Sequence, residues 1–575
     1  MPRCGVRQIS MSIARTPQRG VPTCHTNVTL NALPESGRFR ETWRVMERVA
    51  APRIFIAART KSRRAQMAIE RGIKLFFGGN ALVTVIVLAL ITIFLFREGF
   101  GFFGQNLANL RLYRQAGLEY VDIIRGVATQ HEALSRKLSD VRLREYRAME
   151  KRNVAPEQIN ASLAPFDQFA SGFSDTAENL HGLISDLTEQ ASALKEQLFA
   201  RTELLAQRSQ LERSGDRDAA QKIAVPEVDR AAALFVLHQG AGRFESISAE
   251  MTAHLYSLLA AAPTLPDSAE QKSFDQWKMA TRDYLAAVPV ASKQLREWNA
   301  DEPIPWYRSI SSFLFGREWV TASFWQDWYG IVPLLTGSVL VSLVALLIAV
   351  PLGVASAIYV SEVASRHEKR LIKPYIEFIS AIPSVVLGFF GIAVVGQAIR
   401  AASQSSWFSW VSFFPISERL NIFTAGCLLA LMAVPTIFTL AEDALRNVPR
   451  GFKEASYALG ANRLQTIARV IVPASLSGIV SAILLGLGRV IGETMVVLLC
   501  AGNRIAIPDF SQGLGAIFQP VHTMTGIIAQ EMGEVVRGST HYRALFMVGL
   551  VLFTITLGIN WLAQKFVARF RMSIG

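Results

Sequence analysis

LFFGGNALVTVIVLALITIFLF, residues 75–96, runs for 22 positions without a charged side chain. As a helix rising 1.5 Å per residue it would extend roughly 33 Å, about the thickness of a bilayer's hydrocarbon layer. Buried strands and ordinary core helices do not need an uninterrupted apolar run of that length. The stretch reads as a membrane span, and residues 67–97 as the segment that contains it. It lies too deep in the chain, and is too long, for a cleaved secretory signal, so it reads as a signal anchor.

Upstream, residues 1–66 are rich in Arg, Ser, Thr and Pro and show no sustained period. They read as a disordered basic cytoplasmic extension, which translation from Met46 or Met67 would shorten or remove. Residues 1–74 hold 15 basic and 4 acidic side chains, a net +11 out of +13 for the whole chain. Basic residues flanking a span fix its topology, and Arg63, Arg64, Arg71 and Lys74 therefore place the N-terminus in the cytoplasm.

Downstream the pattern changes. Residues 97–327 carry 26 basic and 31 acidic groups, and residues 98–327 read as an extracytoplasmic, mostly helical domain. Leu180, Ile184, Leu187, Ala191, Leu194, Leu198 and Leu205 fall at heptad spacing, with Arg201 interrupting the seam. Such a helix must pair with another, and the charged stretch 116–152 is a candidate partner. His131, His181, His238 and His254 are scattered without metal-ligand spacing and read as surface or structural residues. None of the four cysteines (Cys4, Cys24, Cys427, Cys500) lies in this region or forms a C-x-x-C pair, so no metal site and no internal disulfide is expected there.

The whole chain has 575 residues, 51% apolar and only 18% charged. That balance, with the apolar residues gathered into long runs, excludes a soluble enzyme, a disordered chain and a fibrous repeat. Five further spans are expected within residues 328–575: Tyr329–Val360, Tyr375–Ala398, Asn421–Leu440, Ser475–Ala501 and Ala544–Phe566. Pro351, Pro383 and Pro435 interrupt three of them, which a membrane bundle tolerates. Six spans return the C-terminus to the cytoplasm. The loops this places inside carry Arg366, Lys369, Arg370 and Lys373, then Arg446, Arg450, Lys453, Arg463 and Arg469, and finally Lys565, Arg569 and Arg571. Span parity and loop charge agree.

Between the fourth and fifth spans, within residues 443–474, runs EASYALGANRLQTIARVIVP. Glu454, Ala455 and Ser456 are followed after three residues by Gly460, and after nine more by Val470, a spacer, Val472 and Pro473. Small side chains let a short helix lie close against another surface. Glu454 near the helix start suits the positive end of its dipole, Gly460 permits a sharp turn, and Pro473 marks re-entry into the span. The pattern resembles the EAA loop of bacterial ABC importer permeases, with Ser for the third Ala and Val for Ile and Leu. In that family the loop docks onto a separate ATPase subunit, which implies such a role here for Glu454, Ala455, Ser456, Gly460 and Pro473. The chain itself has no G-x-x-x-x-G-K-[ST] loop, so ATP hydrolysis is expected in the partner and no cofactor in this chain.

Further segments, in family order over about residues 332–567, resemble the phosphate importer permease of the PstC type. They include VPLLTGSVLVSLVALLIAVPLGVASAIYVSE, AIPSVVLGFFG, PTIFTLAEDALRNVP, GLGRVIGETMVVLLCAGN and HYRALFMVGLVLFTITLGINWLA. The resemblance implies an all-α, six-span permease of the bacterial inner membrane that takes up inorganic phosphate as a heterodimer with a sister permease. Two ATPase subunits inside and a phosphate-binding protein outside would complete the machine. Family members usually carry a much shorter segment after the first span, so residues 98–327 stand apart from it.

Arg489 and Glu493 in the fifth span are four residues apart, a spacing that puts them on one helix face. Ionised groups at membrane depth face a bundle interior or an aqueous path. The guanidinium suits transient contact with an oxyanion, and Glu493 would hold it and moderate its affinity; a buried structural pair that never meets substrate has the same spacing. Gly486, Gly488 and Gly492 would let a neighbour approach this region. Permeases for sulfate, molybdate or phosphonate would share the coupling loop. A transmembrane sensor would share the span–domain–span layout but needs a signalling domain, and too few residues follow the last span to form one. An enzyme lacks a recognisable nucleophile–base or metal cluster.

Overall fold

The computed structural model describes residues 63–570, apart from residues 322, 324, 325, 409 and 412. The extension read at 1–66 therefore lies outside the described residues, except for 63–66, which open a helix. The chain divides into two units, residues 1–85 and 86–575. Of the first, the described part is the leading half of α1 (Arg63–Gln115), whose Leu75, Phe76, Phe77 and Leu82 are exposed as a lipid-facing helix requires.

Among the described residues six helical segments are long and apolar enough to cross a membrane: Glu70–Gln115, Val332–Val363, Ser384–Ser403, Ile422–Arg446, Arg463–Ile491 and Thr540–Phe566. Six was the number expected, and several boundaries differ. The first helix does not give way to a soluble domain at residue 98. It continues to Gln115, because Phe102 and Asn106 are buried there, Asn106 Nδ2 donating to Ser309 Oγ at 3.1 Å. The third span starts at Ser384. Pro383 ends the preceding segment, and Tyr375 belongs instead to a separate amphipathic helix with no buried residue. The fifth span stops at Ile491, and its sequel is a separate short helix.

Residues 118–297 form a helical bundle: α2 (Leu118–Lys151), α3 (Pro156–Asp175), α4 (Glu178–Ser214), α5 (Arg230–Ala260) and α6 (Ser268–Glu297). Gly117 turns the chain from α1 into α2 at φ +83°, and a Cβ there would lie 2.4 Å from Leu237 Cδ1. Conformation and space both demand glycine. In α4 the expected seam is buried at Leu180, Leu187, Ala191 and Leu194 and half-buried at Ile184, and the helix packs on α2 and α5. Beyond it Leu205 is exposed, where the helix outruns its partners. The core is aromatic: Phe166, Phe169, Phe173, Phe274 and Trp277 meet edge-on or stacked at centroid distances of 4.9–6.4 Å. A two-residue antiparallel pair, β1 (Trp319–Val320) with β2 (Trp328–Tyr329), leads back to the spans.

The remaining spans pack around α7 (Val332–Ile358), α10 (Ile422–Arg446), α12 (Val472–Ile491) and α15 (Thr540–Phe570), with α10 the most buried. Between α7 and α10 come α8 (Arg366–Ala381) and α9 (Ser384–Phe390). Gly486 of α12 meets Ile437 of α10 so closely that a Cβ would lie 2.7 Å from Ile437 Cγ1. Gly488 and Gly492 have no such contact with a neighbouring helix.

Within the bundle of residues 118–297, His131 is buried and neutral. Its Nε2 lies 2.9 Å from the Phe173 carbonyl, its Nδ1 has no partner, and its ring stacks on Phe173 at 4.3 Å. Burial holds its pKa below the ordinary value of 6.5. The folded state thus takes up the proton less readily than the unfolded chain. Stability present at pH 7 is lost as the pH falls below about 6.5, by up to about 1.4 kcal/mol per pH unit until the lowered value is reached. Thermal unfolding of the intact chain at pH 7.5 and 5.5 should show a larger acid-induced drop for wild type than for His131→Gln. Equal drops would contradict it.

Candidate translocation path and coupling loop

The loop before the fifth span begins with α11 (Arg450–Ala458). Pro449 sets its start, and the helix ends in a glycine turn. Gly460 has φ +80°, its N–H donates to Tyr457 O at 2.9 Å, and Ala461 N–H donates to Ser456 O at 3.2 Å. These two bonds satisfy the last carbonyls of a helix closed by a left-handed residue. Glu454 and Ala455 are exposed. Ser456 is buried, its hydroxyl 2.9 Å from Thr466 Oγ1. Glu454 is the fifth residue of α11 and not in its first turn, so the dipole argument does not hold for it.

Pro473 also sits differently from expectation. The chain re-enters the membrane ten residues earlier, at Arg463, where Asn462 and Gln465 form a reciprocal cap. A wide π-turn, Ile467–Ile471, then runs into α12, and Pro473 occupies the first turn after it. A missing N–H is tolerated there.

Sequence reasoning missed the residues that hold this loop. Lys453 Nζ lies 2.6 Å from Glu362 Oε1 at the end of the second span, and Arg463 donates to the Glu362 carbonyl. Two cations from the loop thus converge on one residue of another span. The acidic residue just after the apolar run, with basic residues in the opposite loop, was the available signal. Nearby Phe452, Leu459 and Leu464 are exposed, Leu459 by 89%. Exposed apolar clusters of this kind mark interaction surfaces.

At the other end of α12, the expected pairing of Arg489 with Glu493 is not formed. The helix ends at Ile491, and Gly492, Glu493 and Thr494 are non-helical before α13 (Met495–Cys500) begins. The two side chains therefore do not share a helix face. Arg489 is exposed, and its Nη1 donates to Thr436 Oγ1 of α10 at 3.0 Å. No carboxylate lies within ion-pair distance of it among the described residues. Glu493 Oε1 accepts from Met495 N at 3.2 Å, and its carbonyl accepts from Thr525 Oγ1 at 2.8 Å.

Thr525 belongs to α14 (Met524–Glu531), a short helix entered through buried His522 and Thr523. His522 Nδ1 accepts from Thr523 N at 3.0 Å, which leaves Nε2 to donate to Gln530 Oε1 at 3.0 Å. Ser338 Oγ of α7 accepts from Met524 N at 2.9 Å. Ser338, Ser342, Glu493, Thr523 and Thr525 surround a cavity of about 10 Å³, roughly the space one water needs. Neither Thr436 nor this hydroxyl group was legible beforehand, since they come from three separate segments. Among the described residues no His, Cys, Asp or Glu cluster suited to a metal occurs.

A chain of six spans with a broken helix, polar groups at membrane depth and a capped loop helix is a multi-pass membrane transport subunit. It belongs to the family of binding-protein-dependent transport system inner membrane components, which matches residues 349–572. A probable ABC transporter permease protein, YqgH of Bacillus subtilis, is 35% identical over 241 residues, covering 41% of this chain and 72% of its own. The phosphate transport system permease protein PstC of Pasteurella multocida is 31% identical over 272 residues, covering 46% and 82%. That of Haemophilus influenzae is 31% identical, covering 45% and 84%. As a member of this family the chain is a multi-pass inner-membrane transport subunit, not an enzyme, and works with an ATPase and a substrate-binding protein.

Because a Cβ at Gly460 would meet nothing within 4 Å, its requirement is conformational. Gly460→Val should weaken the loop by about 1–2 kcal/mol, the cost of a left-handed conformation for an L-residue, and Gly460→Asn by less. Hydrogen exchange of residues 450–462 in the intact protein should rise from wild type through Gly460→Asn to Gly460→Val, with the spans unchanged. Equal protection in all three proteins would refute the turn's role.

Proposed function

We propose that this chain is the permease subunit of an ATP-driven importer of inorganic phosphate, forming the path with a sister permease. The observation that carries the reading is Arg489: a cation on the exposed side of a membrane helix, held by one hydroxyl and matched by no carboxylate among the described residues. Facing lipid would be costly, so it must face another subunit or an aqueous path. Leu485, one turn earlier, is also exposed. A second permease packed along that stripe would close a passage into which the guanidinium projects, a suitable transient site for an oxyanion. Relatives named for phosphate transport favour that cargo over sulfate, molybdate or phosphonate.

α11 serves as the coupling helix, with Glu454 and Ala455 presented to an ATPase and Ser456, Gly460 and Pro473 shaping the support. Two such subunits would sit on the cytoplasmic side, where both termini lie, and a phosphate-binding protein would dock on the opposite side. The bundle of residues 118–297 would contact that binding protein or the sister permease. Deletion of residues 105–320 with transport and docking intact would remove that role.

Arg489→Gln should lower phosphate uptake at least tenfold at unchanged membrane abundance and unchanged ATPase assembly; unaltered uptake would sink the path assignment. Leu459→Asp should instead release the ATPase on co-purification, without altering the permease's membrane level.

A further inference from the structure

On α8 three kinds of side chain segregate. Ile372 and Ile376 pack toward Ala357, Val360, Phe438 and Ala441 of the bundle. Leu371, Tyr375 and Phe378 recur at i, i+4 and i+7 and are all exposed. Arg366, Lys369, Arg370 and Lys373 share the third face by the same spacing. Ser365 and Glu368 cap the helix start reciprocally, so Glu368 is engaged with backbone and does not answer these cations.

The basic face lines a cleft of about 420 Å³, completed by Arg446 and Glu442 of α10. Five cations stand against one carboxylate. Buried Glu442 is already taken by Lys373 at 2.6 Å, with Arg446 at 3.7 Å, and Lys369 Nζ donates to Ser361 O at 2.9 Å. Arg366 and Arg370 have no ion-pair partner among the described residues. Glu377, a turn further on, does not line the cleft.

We propose that this cleft binds the headgroup of an anionic phospholipid, its phosphodiester held by Arg366 and Arg370 with Lys369 and Arg446 around it, and its acyl chains against Leu371, Tyr375 and Phe378. Bidentate guanidinium contacts suit a phosphate oxygen pair, and basic clefts at the ends of spans have the charge and position to take anionic headgroups. A free phosphate would account for the cations alone. The adjoining exposed apolar stripe calls for a ligand that is anionic at one end and hydrocarbon at the other. The inference uses only the placement of the chain in a membrane, not its cargo or its motor. The site lies beside Glu362, which anchors the coupling loop, so an occupied cleft would brace that anchor.

The intact chain, reconstituted in nanodiscs containing phosphatidylglycerol and phosphatidylcholine and released for native mass spectrometry, provides the test. Wild type should retain phosphatidylglycerol at least fivefold over phosphatidylcholine. Arg366→Gln/Arg370→Gln should lose that preference, and Arg366→Lys/Arg370→Lys should keep most of it. Both arginines are exposed and unpaired, so neither change leaves a buried charge. A second measurement is independent of any variant: phosphatidylglycerol should raise the unfolding temperature of wild type, while inorganic phosphate in phosphatidylcholine discs should not. Equal retention of the two lipids by wild type, retention unaffected by the double glutamine variant, or an equal rise with inorganic phosphate would each overturn the proposal, the last in favour of a soluble anion.

Discussion

A hydrocarbon layer offers no hydrogen bonds, so any interruption of a helix within it has to be answered by the protein itself. In this chain the break after Ile491 is the place where that demand is greatest. It is met locally: the Glu493 carboxylate takes the Met495 N–H, and Thr525 supplies a hydroxyl to the Glu493 carbonyl. Ser338 does the same for the first turn of α14. These answers come from α7, α14 and the break itself at once. The broken helix therefore fixes how the surrounding segments sit, and it concentrates hydroxyls and one carboxylate in an otherwise apolar bundle. A polar lining of this kind appears where a membrane protein handles a polar cargo.

The opposite end of the same bundle is governed by charge. Glu362 and Glu442, on two different spans, each gather lysine and arginine from neighbouring segments: Lys453 and Arg463 around the first, Lys373 and Arg446 around the second. Both carboxylates are largely sheltered, so removing either would leave cations crowded without compensation, a far larger loss than that of an exposed pair. The loops bearing the positive charges read from the sequence thus come together as a built surface.

Fold class and span number were legible because apolar length is a one-dimensional property, visible wherever twenty uncharged residues occur together. Gly460 was legible because its function is local: a left-handed turn needs glycine whatever the distant surroundings. The Arg489–Glu493 spacing misled for the complementary reason. Four residues imply a shared face only if the helix continues, and Gly492 together with hydroxyls from a remote segment ends it. Thr436 and Thr525 were invisible because each acts across a large sequence separation. The continuation of α1 to Gln115 was hidden too. Its second half looks merely polar in sequence, yet Phe102 and Asn106 are buried against residues some two hundred positions away.

How a docked motor could reach the cargo follows from the run Arg463–Ile491. It is helical over 29 residues, so at 1.5 Å per residue it spans roughly 43 Å. Its first turn is tied to the second span through Arg463 and Glu362, and its last carries Arg489 against Thr436. In the proposed cycle a displacement imposed at α11 would pass along this run to the guanidinium. The π-turn at Ile467–Ile471 within the run and the break at Gly492 beyond it are the natural points of give. Because the 3.0 Å bond from Arg489 to Thr436 is made to a hydroxyl and to no carboxylate, the guanidinium need break only that one polar contact to be re-aimed. An ion pair at that point would resist the motion far more strongly. The absence of the expected Arg489–Glu493 pair is thus what makes a two-position cation mechanically accessible in the proposed cycle.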